Sequence, residues 1–326
     1  MELPSNYKNK PGKVLLTGAA GFLGSHLTEA LLDLGHDVTG VDSLITGSLE
    51  NVAHLKGNSR FRLLRADLAA GLPKEITQQK FDRIWHLASP ASPVGYVKHQ
   101  ITTLKINSLA AVELLELAQN SGARIFVAST SECYGDPAEH PQRESYWGNV
   151  NPVGMRSMYD ESKRFMEAAA MAYHRERGVD TRIVRIFNTY GPRLAIDDGR
   201  VVVAFIKEAL KNEPLTVQGD GSQTRSLCYV DDEIRGFLLL MESEPYHLPV
   251  NIGNPEEISV LELAKEIRQL TNSKSEIIHT PLPQDDPHKR RPDISLARKL
   301  LGWEPKIARH EGLLRTIAFY RKKLGL

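Results

Sequence analysis

The chain reads as an α/β protein: a doubly wound parallel sheet followed by a smaller, mostly helical C-terminal lobe. Three observations predict this. Short apolar runs alternate with longer stretches of helical apolar spacing through residues 1–187, the pattern of strand-helix-strand units. Glycines cluster where the first apolar run ends and the first helical stretch begins. The 326 residues are 41% hydrophobic and 25% charged, enough to bury one large core or two modest ones.

The series opens with Lys13-Val-Leu-Leu-Thr-Gly-Ala-Ala-Gly-Phe-Leu-Gly24. Val14 to Thr17 predicts a buried strand, Gly18, Gly21 and Gly24 a tight turn, and Phe22 to Leu34 a helix. Such a turn lets the backbone approach a pyrophosphate, whose charge then rests on the helix N-terminus near Phe22 and Leu23. The spacing is Gly-x-x-Gly-x-x-Gly, not Gly-x-Gly-x-x-Gly, and resembles the variant of extended short-chain dehydrogenases/reductases. Asp37 to Val41 predicts the second strand, with Asp42 at its end. A carboxylate there bonds an adenosine ribose 2′-OH and repels a 2′-phosphate. No Arg or Lys falls between Val41 and Glu50, so NAD is expected over NADP.

Phe61 to Arg65, Arg83 to Leu87, Arg124 to Ser129 and Thr181 to Ile186 predict four more strands. Leu104 to Asn120 and Met158 to Arg177 predict long helices. The repetition points to a Rossmann-like sheet, with ligands beyond the carboxyl ends of its strands. Gly18, Asp42, Asp67 (with Leu68 after it), Ala88 and Thr130 all fall there. Leu227 to Val230, a helix from Asp232, and Pro249 to Ile252 read as a return to the sheet. A nucleotide-binding domain of residues 1–187 and 226–254 is therefore expected, with 188–225 and 255–326, including Pro281 to Pro292, forming the second lobe.

Bulk properties exclude several classes. A formal net charge of +1 gives no electrostatic case for nucleic acid or an acidic membrane surface. Cys133 and Cys228 are the 2 cysteines, too few for a disulfide framework and without metal-type spacing. No metal is expected. No apolar run approaches membrane-spanning length and Met1 to Gly12 is polar, so a reduced, cytoplasmic location is expected.

Chemistry enters with Thr130-Ser131-Glu132 and with Tyr159 and Lys163, four residues apart and so on one helix face. A tyrosine beside an ammonium loses its proton more easily. From about 10 to neutrality is about three pH units, which one lysine and a cationic nicotinamide supply in a dry site.

The stretches His86-Leu-Ala-Ser-Pro-Ala-Ser-Pro93, Ala128-Ser-Thr-Ser-Glu132, Tyr159-Asp-Glu-Ser-Lys163, Arg185-Ile-Phe-Asn-Thr-Tyr-Gly-Pro-Arg193, Asp198-Gly-Arg-Val-Val202, Gly221-Ser-Gln-Thr-Arg225 and Asp285-Asp-Pro-His-Lys-Arg-Arg-Pro-Asp293 together resemble the UDP-glucuronate decarboxylases, also called UDP-xylose synthases. The resemblance spans Val14 to Trp303. It implies oxidation of the glucuronyl C4 with tightly bound NAD, loss of carbon dioxide from the resulting β-keto acid, protonation at C5 and return of the hydride, giving UDP-xylose with no net redox. The resemblance implies that Tyr159 moves the O4 proton, that Lys163 lowers the Tyr159 pKa and binds the nicotinamide ribose, and that Thr130 and Ser131 donate to O4. Glu132 is then expected near the carboxylate-bearing carbon and Arg225 beside the sugar as carboxylate contact or C5 donor. Pro90, Tyr96, Asn188, Arg193, Arg200, Arg290 and Asp293 are expected around UDP-glucuronate. A homodimer built through the two long helices, and a soluble form, are also implied.

Ser131 occupies the place where related 4,6-dehydratases carry an acid for the departing hydroxyl, and 4-epimerases usually have a small or hydroxylated residue where Glu132 stands. Decarboxylation fits that combination best. Gln218 departs from the family's usual aromatic, which bears on uracil recognition, and Cys133 replaces a usual Val. A 4-epimerase, a decarboxylase that releases its 4-keto pentose, and a non-catalytic NAD-binding sensor stay open. The sensor predicts lost catalytic residues, whereas Thr130, Glu132, Tyr159 and Lys163 are present.

Overall fold

Alternation along each strand divides the core between two faces of one sheet. The computed structural model describes residues 3–4, 7–281 and 289–326. Strands β1 (Lys13–Thr17), β2 (Asp37–Asp42), β3 (Phe61–Arg65), β4 (Arg83–His86), β5 (Arg124–Thr130) and β6 (Thr181–Ile186) are joined by β11 (Pro249–Ile252) in a seven-stranded sheet. Every pairing in it is parallel. Leu15, Ile84, Ile125, Val127 and Ile183 face one apolar cluster with Leu114, Leu115, Met166 and Ala170. Their neighbours Leu16, Trp85, Phe126 and Val184 face the other, with Leu27 and Phe237. Burial on both faces explains why the strands read as continuous apolar runs. The Phe126 ring lies 4.7 Å from Trp85 and 5.1 Å from Phe237, tying strand to strand and sheet to helix. Each such buried side chain contributes about 2–3 kcal/mol.

The order β11-β6-β5-β4-β1-β2-β3 reverses direction between β1 and β4. Adjacent crossovers there leave on opposite faces, opening a crevice at the carboxyl ends. Helices Phe22–Asp33 and Val230–Glu242 cover one face. The other carries Ser157–Arg177 and a helix over residues 100–121, composed of Gln100–Lys105, a π-helical turn Ile106–Ala110, and Ala111–Ser121. The expected helix Leu104 to Asn120 is thus longer and contains one wide turn, which apolar periodicity does not reveal.

Outside the sheet, β7 (Thr189–Tyr190) pairs in parallel with β10 (Cys228–Tyr229), β8 (Leu215–Gln218) in parallel with β13 (Ile277–Thr280), and β9 (Thr224–Ser226) antiparallel with β12 (Glu257–Ser259). The expectation for Leu227 to Val230 is corrected here: the run forms the short β10 against β7 and does not rejoin the main sheet. Its two-residue strand ends at Tyr229, the N-cap of the next helix, so Val230 already belongs to that helix. An apolar run shows that a segment is buried but not which partner it has. Pro249 to Ile252 does join the sheet, beside β6. Helices Val201–Leu210, Val260–Thr271, Ser295–Leu301 and Arg309–Leu324 complete the C-terminal part.

Candidate active site

One cavity of about 650 Å³ lies over the carboxyl ends of the strands, a size suited to a small-molecule ligand. Gly18, Gly21, Phe22, Leu23 and Gly24 line one end. Gly18 has φ +76°, and a Cβ on Gly24 would fall 1.9 Å from the Gly18 carbonyl oxygen, so the turn closes only on glycine. Gly21 caps the helix with no side-chain bond, and the first turn holds no acid. Its amides are left for an anion. Asp42 also lines the cavity and is buried. Its carboxylate accepts from Ala20 N at 2.9 Å and Leu44 N at 2.8 Å. Burial still holds its pKa above the ordinary carboxylate value. A close glycine turn, a bare helix N-terminus and an acid at the end of β2 fit a dinucleotide with a free ribose 2′-OH. Leu68 and Ala88 line the same space. Asp67 does not: its side chain caps Ala69 N at 2.9 Å and is exposed.

Toward the middle, β5 ends at Thr130 and turns sharply through Ser131–Tyr134. Thr130 Oγ1 accepts from Glu132 N at 3.2 Å, holding Ser131 and Glu132 against the cavity. Glu132 receives Arg156 on one carboxylate oxygen and Arg290 on the other. Arg290 also donates to Gly135 O at 3.0 Å, and its burial lowers its pKa to about 10. Arg156 is the residue that the sequence reading missed. It stands three positions before Tyr159, a helix-neighbour spacing, and that was its only signal.

Tyr159 and Lys163 come from Ser157–Arg177, both buried. Lys163 Nζ donates to Ala128 O at 2.7 Å and lies 5.7 Å from the Tyr159 ring centroid. The Tyr159 ring stacks on Tyr96 at 4.9 Å, and its hydroxyl bonds Thr130. Here the expected electrostatics need correcting for the protein alone. Burial raises the Tyr159 pKa above its ordinary value, outweighing the Thr130 bond and the Arg200 charge that lower it. Lys163 is itself pushed down to about 8 by burial. Below it His86 is held neutral, its pKa lowered to about 3 by burial and by the Lys163 charge. Its Nε2–H donates to Ile106 O at 3.2 Å, while Nδ1 takes the Thr17 hydroxyl at 2.9 Å. Asn107, in the π-helical turn, donates to Ser89 and Ser162 at 3.1 Å each, joining that turn to the Tyr/Lys helix.

Pro90, Tyr96, Asn188, Arg200, Arg225 and Gln218 line the other end. Arg200 pairs with Asp198 at 2.9 Å and reaches Ala91 O at 3.2 Å. Arg225 donates to Thr224 O at 2.9 Å. Arg193 lines the cavity, but its guanidinium is bidentate on Glu29 at 2.9 and 2.7 Å. Asp293 lies outside the lining and accepts from Ser295 N at 2.8 Å. Asp285 to His288 of the C-terminal motif lie outside the described residues. Arg156, Arg193, Arg200, Arg225, Arg290 and Lys163 against Asp42, Glu132 and Asp198 leave the lining net positive, which suits an anionic ligand.

A glycine-turn nucleotide cradle joined to a buried Thr/Tyr/Lys group defines an enzyme of the short-chain dehydrogenase/reductase class. The model of the NAD dependent epimerase/dehydratase family matches residues 14–253. UDP-glucuronic acid decarboxylase 1 of Arabidopsis thaliana is 48% identical over 323 residues, covering 99% of this chain and 73% of that protein. UDP-glucuronic acid decarboxylase 1 of Danio rerio is 50% identical over 312 residues, covering 96% and 73%. Among solved structures, the UDP-glucuronic acid 4-epimerase of Bacillus cereus, in complex with UDP-glucuronic acid and NAD, is 29% identical with a TM-score of 0.86, covering 95% of this chain and 99% of that one. The chain belongs to the NAD dependent epimerase/dehydratase family and, within it, to the UDP-glucuronic acid decarboxylases.

Proposed function

We propose that the protein decarboxylates UDP-glucuronate to UDP-xylose through a 4-keto intermediate, with NAD recycled inside each turnover. The observation that carries this reading is Glu132. A carboxylate held by Arg156 and Arg290 stands two residues from Thr130, which meets the Tyr159 hydroxyl. The family resemblance of the sequence supports UDP-glucuronate as the ligand of a net-positive cavity, as do the names of the relatives.

Gly18 to Gly24 and Asp42 would hold NAD, which would supply the acceptor for the C4 hydride and the donor for its return. Tyr159 takes the C4 hydroxyl proton and later gives it back; Thr130 and Ser131 donate to O4 as charge gathers there. Lys163, protonated below about pH 8 and 5.7 Å from the Tyr159 ring centroid, is placed to favour a phenolate against the burial that opposes it. Once C4 is a ketone, the carboxylate on C5 is β to it. The C5–carboxyl bond breaks, its electron pair forms the enolate, and a proton added at C5 restores the ketone. Arg225 is suited to hold the carboxylate or to pass that proton through water, and Glu132 to order water at C5. Asn188, Arg200 and Arg290 are suited to the diphosphate and sugar through their donors. Release of labelled carbon dioxide from carboxyl-labelled UDP-glucuronate, without net NADH, is the expected result. Absence of release would refute the assignment.

The protein also pairs as a homodimer in this reading. Ile101, Leu104, Leu109 and Phe165 are 66%, 38%, 60% and 48% exposed on the two long helices of one face, and a second copy would cover them. Sedimentation analysis should give twice the chain mass of 36.4 kDa. A monomer at micromolar concentration would contradict it.

A further inference from the structure

Behind the Thr130–Glu132 turn lies a buried ionic group that the chemistry above does not use. Glu167, on the Tyr/Lys helix, is 9% exposed and Arg185, on β6, is 8% exposed. The guanidinium is bidentate on the carboxylate, Nε to Oε1 at 2.9 Å and Nη2 to Oε2 at 2.7 Å. Ser129 donates its hydroxyl to the same Oε1 and lies 3.2 Å from Cys133 Sγ. Arg185 also reaches Glu144 O at 3.2 Å and lies 4.7 Å over the Tyr134 ring. Five segments therefore meet here: β5, β6, the helix, the turn Ser131–Tyr134, and the loop that carries Glu144.

A buried ion pair is poor value as a source of stability, since an apolar pair of similar volume is often as good or better. Its position is more telling. Lys163 and Glu167 are one turn apart on the helix, and they bond two consecutive residues of β5, Ala128 and Ser129. Two such anchors set the roll of the helix and its height along β5 more closely than one would, beside the Ser162 bond to Asn107 on its other side. The next strand residue is Thr130, whose hydroxyl meets Tyr159. We propose that Glu167, clamped by Arg185 and Ser129, is a positioning residue that holds Lys163 and Tyr159 in register with Thr130. The proposal rests on the decarboxylase reading for its activity readout.

Glu167 also acts through charge. Around Lys163 stand the Ala128 carbonyl of β5, neutral His86 of β4, Cys133 of the turn, and Tyr159 and Glu167 of the helix itself. Cys133 is pushed up to about 12 by burial, so its thiol stays neutral, and Glu167 is the carboxylate that favours the ammonium. Without it the ammonium is lost at lower pH.

The test compares the NAD-loaded wild type with Glu167→Gln and Ser129→Ala. A displacement of about 1 Å at a reacting group costs up to about 100-fold. Glu167→Gln should lower kcat by about 30–100-fold with KM within about threefold, and should move the alkaline limb down by about one pH unit. Ser129→Ala keeps the ion pair and should lower kcat about fivefold with little change in Tm. NMR titration of the Lys163 ε-carbon, assigned by its loss in Lys163→Met, reads the same shift without turnover. Wild-type kcat in both variants would overturn the proposal. So would a loss that merely tracks the folded fraction while Lys163 titrates as in the wild type. If Glu167→Gln does not fold, a fully active Ser129→Ala overturns it. Inactivity of the wild type toward UDP-glucuronate would sink the decarboxylase reading instead, and the lysine titration would still decide this one.

Discussion

Tyr159→Phe should reduce turnover of UDP-glucuronate by about 10³-fold, within the usual range for a positioned acid–base group. The ring, its stacking on Tyr96 and the buried surroundings stay; only the hydroxyl that meets Thr130 is lost. Bound NAD should therefore be retained, and UDP-glucuronate affinity should change by no more than about threefold. The loss should fall on the first step, so neither carbon dioxide nor NADH appears in a single-turnover experiment. A variant with near-normal single-turnover rates would remove Tyr159 from the chemistry.

Glu132→Ala is the second large effect, and it should divide the reaction. The side chain lies at the turn after β5, away from the glycine cradle, so NAD binding should persist. Carbon dioxide release should fall by about 100-fold, because water ordering and electrostatics at C5 are lost while C4 remains able to react. The change also leaves Arg290, 3% exposed, without its carboxylate. Breaking a buried pair of this kind costs roughly 3 kcal/mol, less where the open cavity admits water. A lowered Tm is thus expected, and partial recovery when UDP-glucuronate brings its own carboxylate. Glu132→Gln separates the effects: it keeps a hydrogen-bonding group of the same size but should not restore carbon dioxide release. Unchanged turnover in both variants would contradict the role given to Glu132.

Much of the fold was legible because parallel strands buried on both faces leave little ambiguity. Val14 to Thr17 is an apolar run closed by a glycine turn, while Phe61 to Arg65 and Thr181 to Ile186 place Phe, Leu, Ile and Val among charged residues; each forms a strand of the seven-stranded sheet. Gly18, Gly24 and Asp42 were readable because a close backbone approach and an acid at a strand end each need one residue type. Leu227 to Val230 misled because burial does not name a partner. The wide turn at Ile106–Ala110 was not read, since it shifts the apolar spacing by only one position, too little to stand out against an irregular stripe. Arg156, Arg290 and Glu132 converge from three places in the chain, and only the fold brings those charges together. The Glu167–Arg185 pair was hidden for the same reason: each residue alone resembles an ordinary surface charge.

Oxidation, decarboxylation, protonation at C5 and reduction are proposed to be completed on one enzyme without net redox. Proton NMR of the purified protein with UDP-glucuronate in D₂O tests this most directly. The expected product is UDP-xylose carrying a single deuterium at C5, with no accumulation of NADH and no requirement for added NAD. A 4-keto pentose formed with stoichiometric NADH would mean that the intermediate escapes. UDP-galacturonate with its carboxylate retained would contradict the decarboxylase account and make the protein a 4-epimerase.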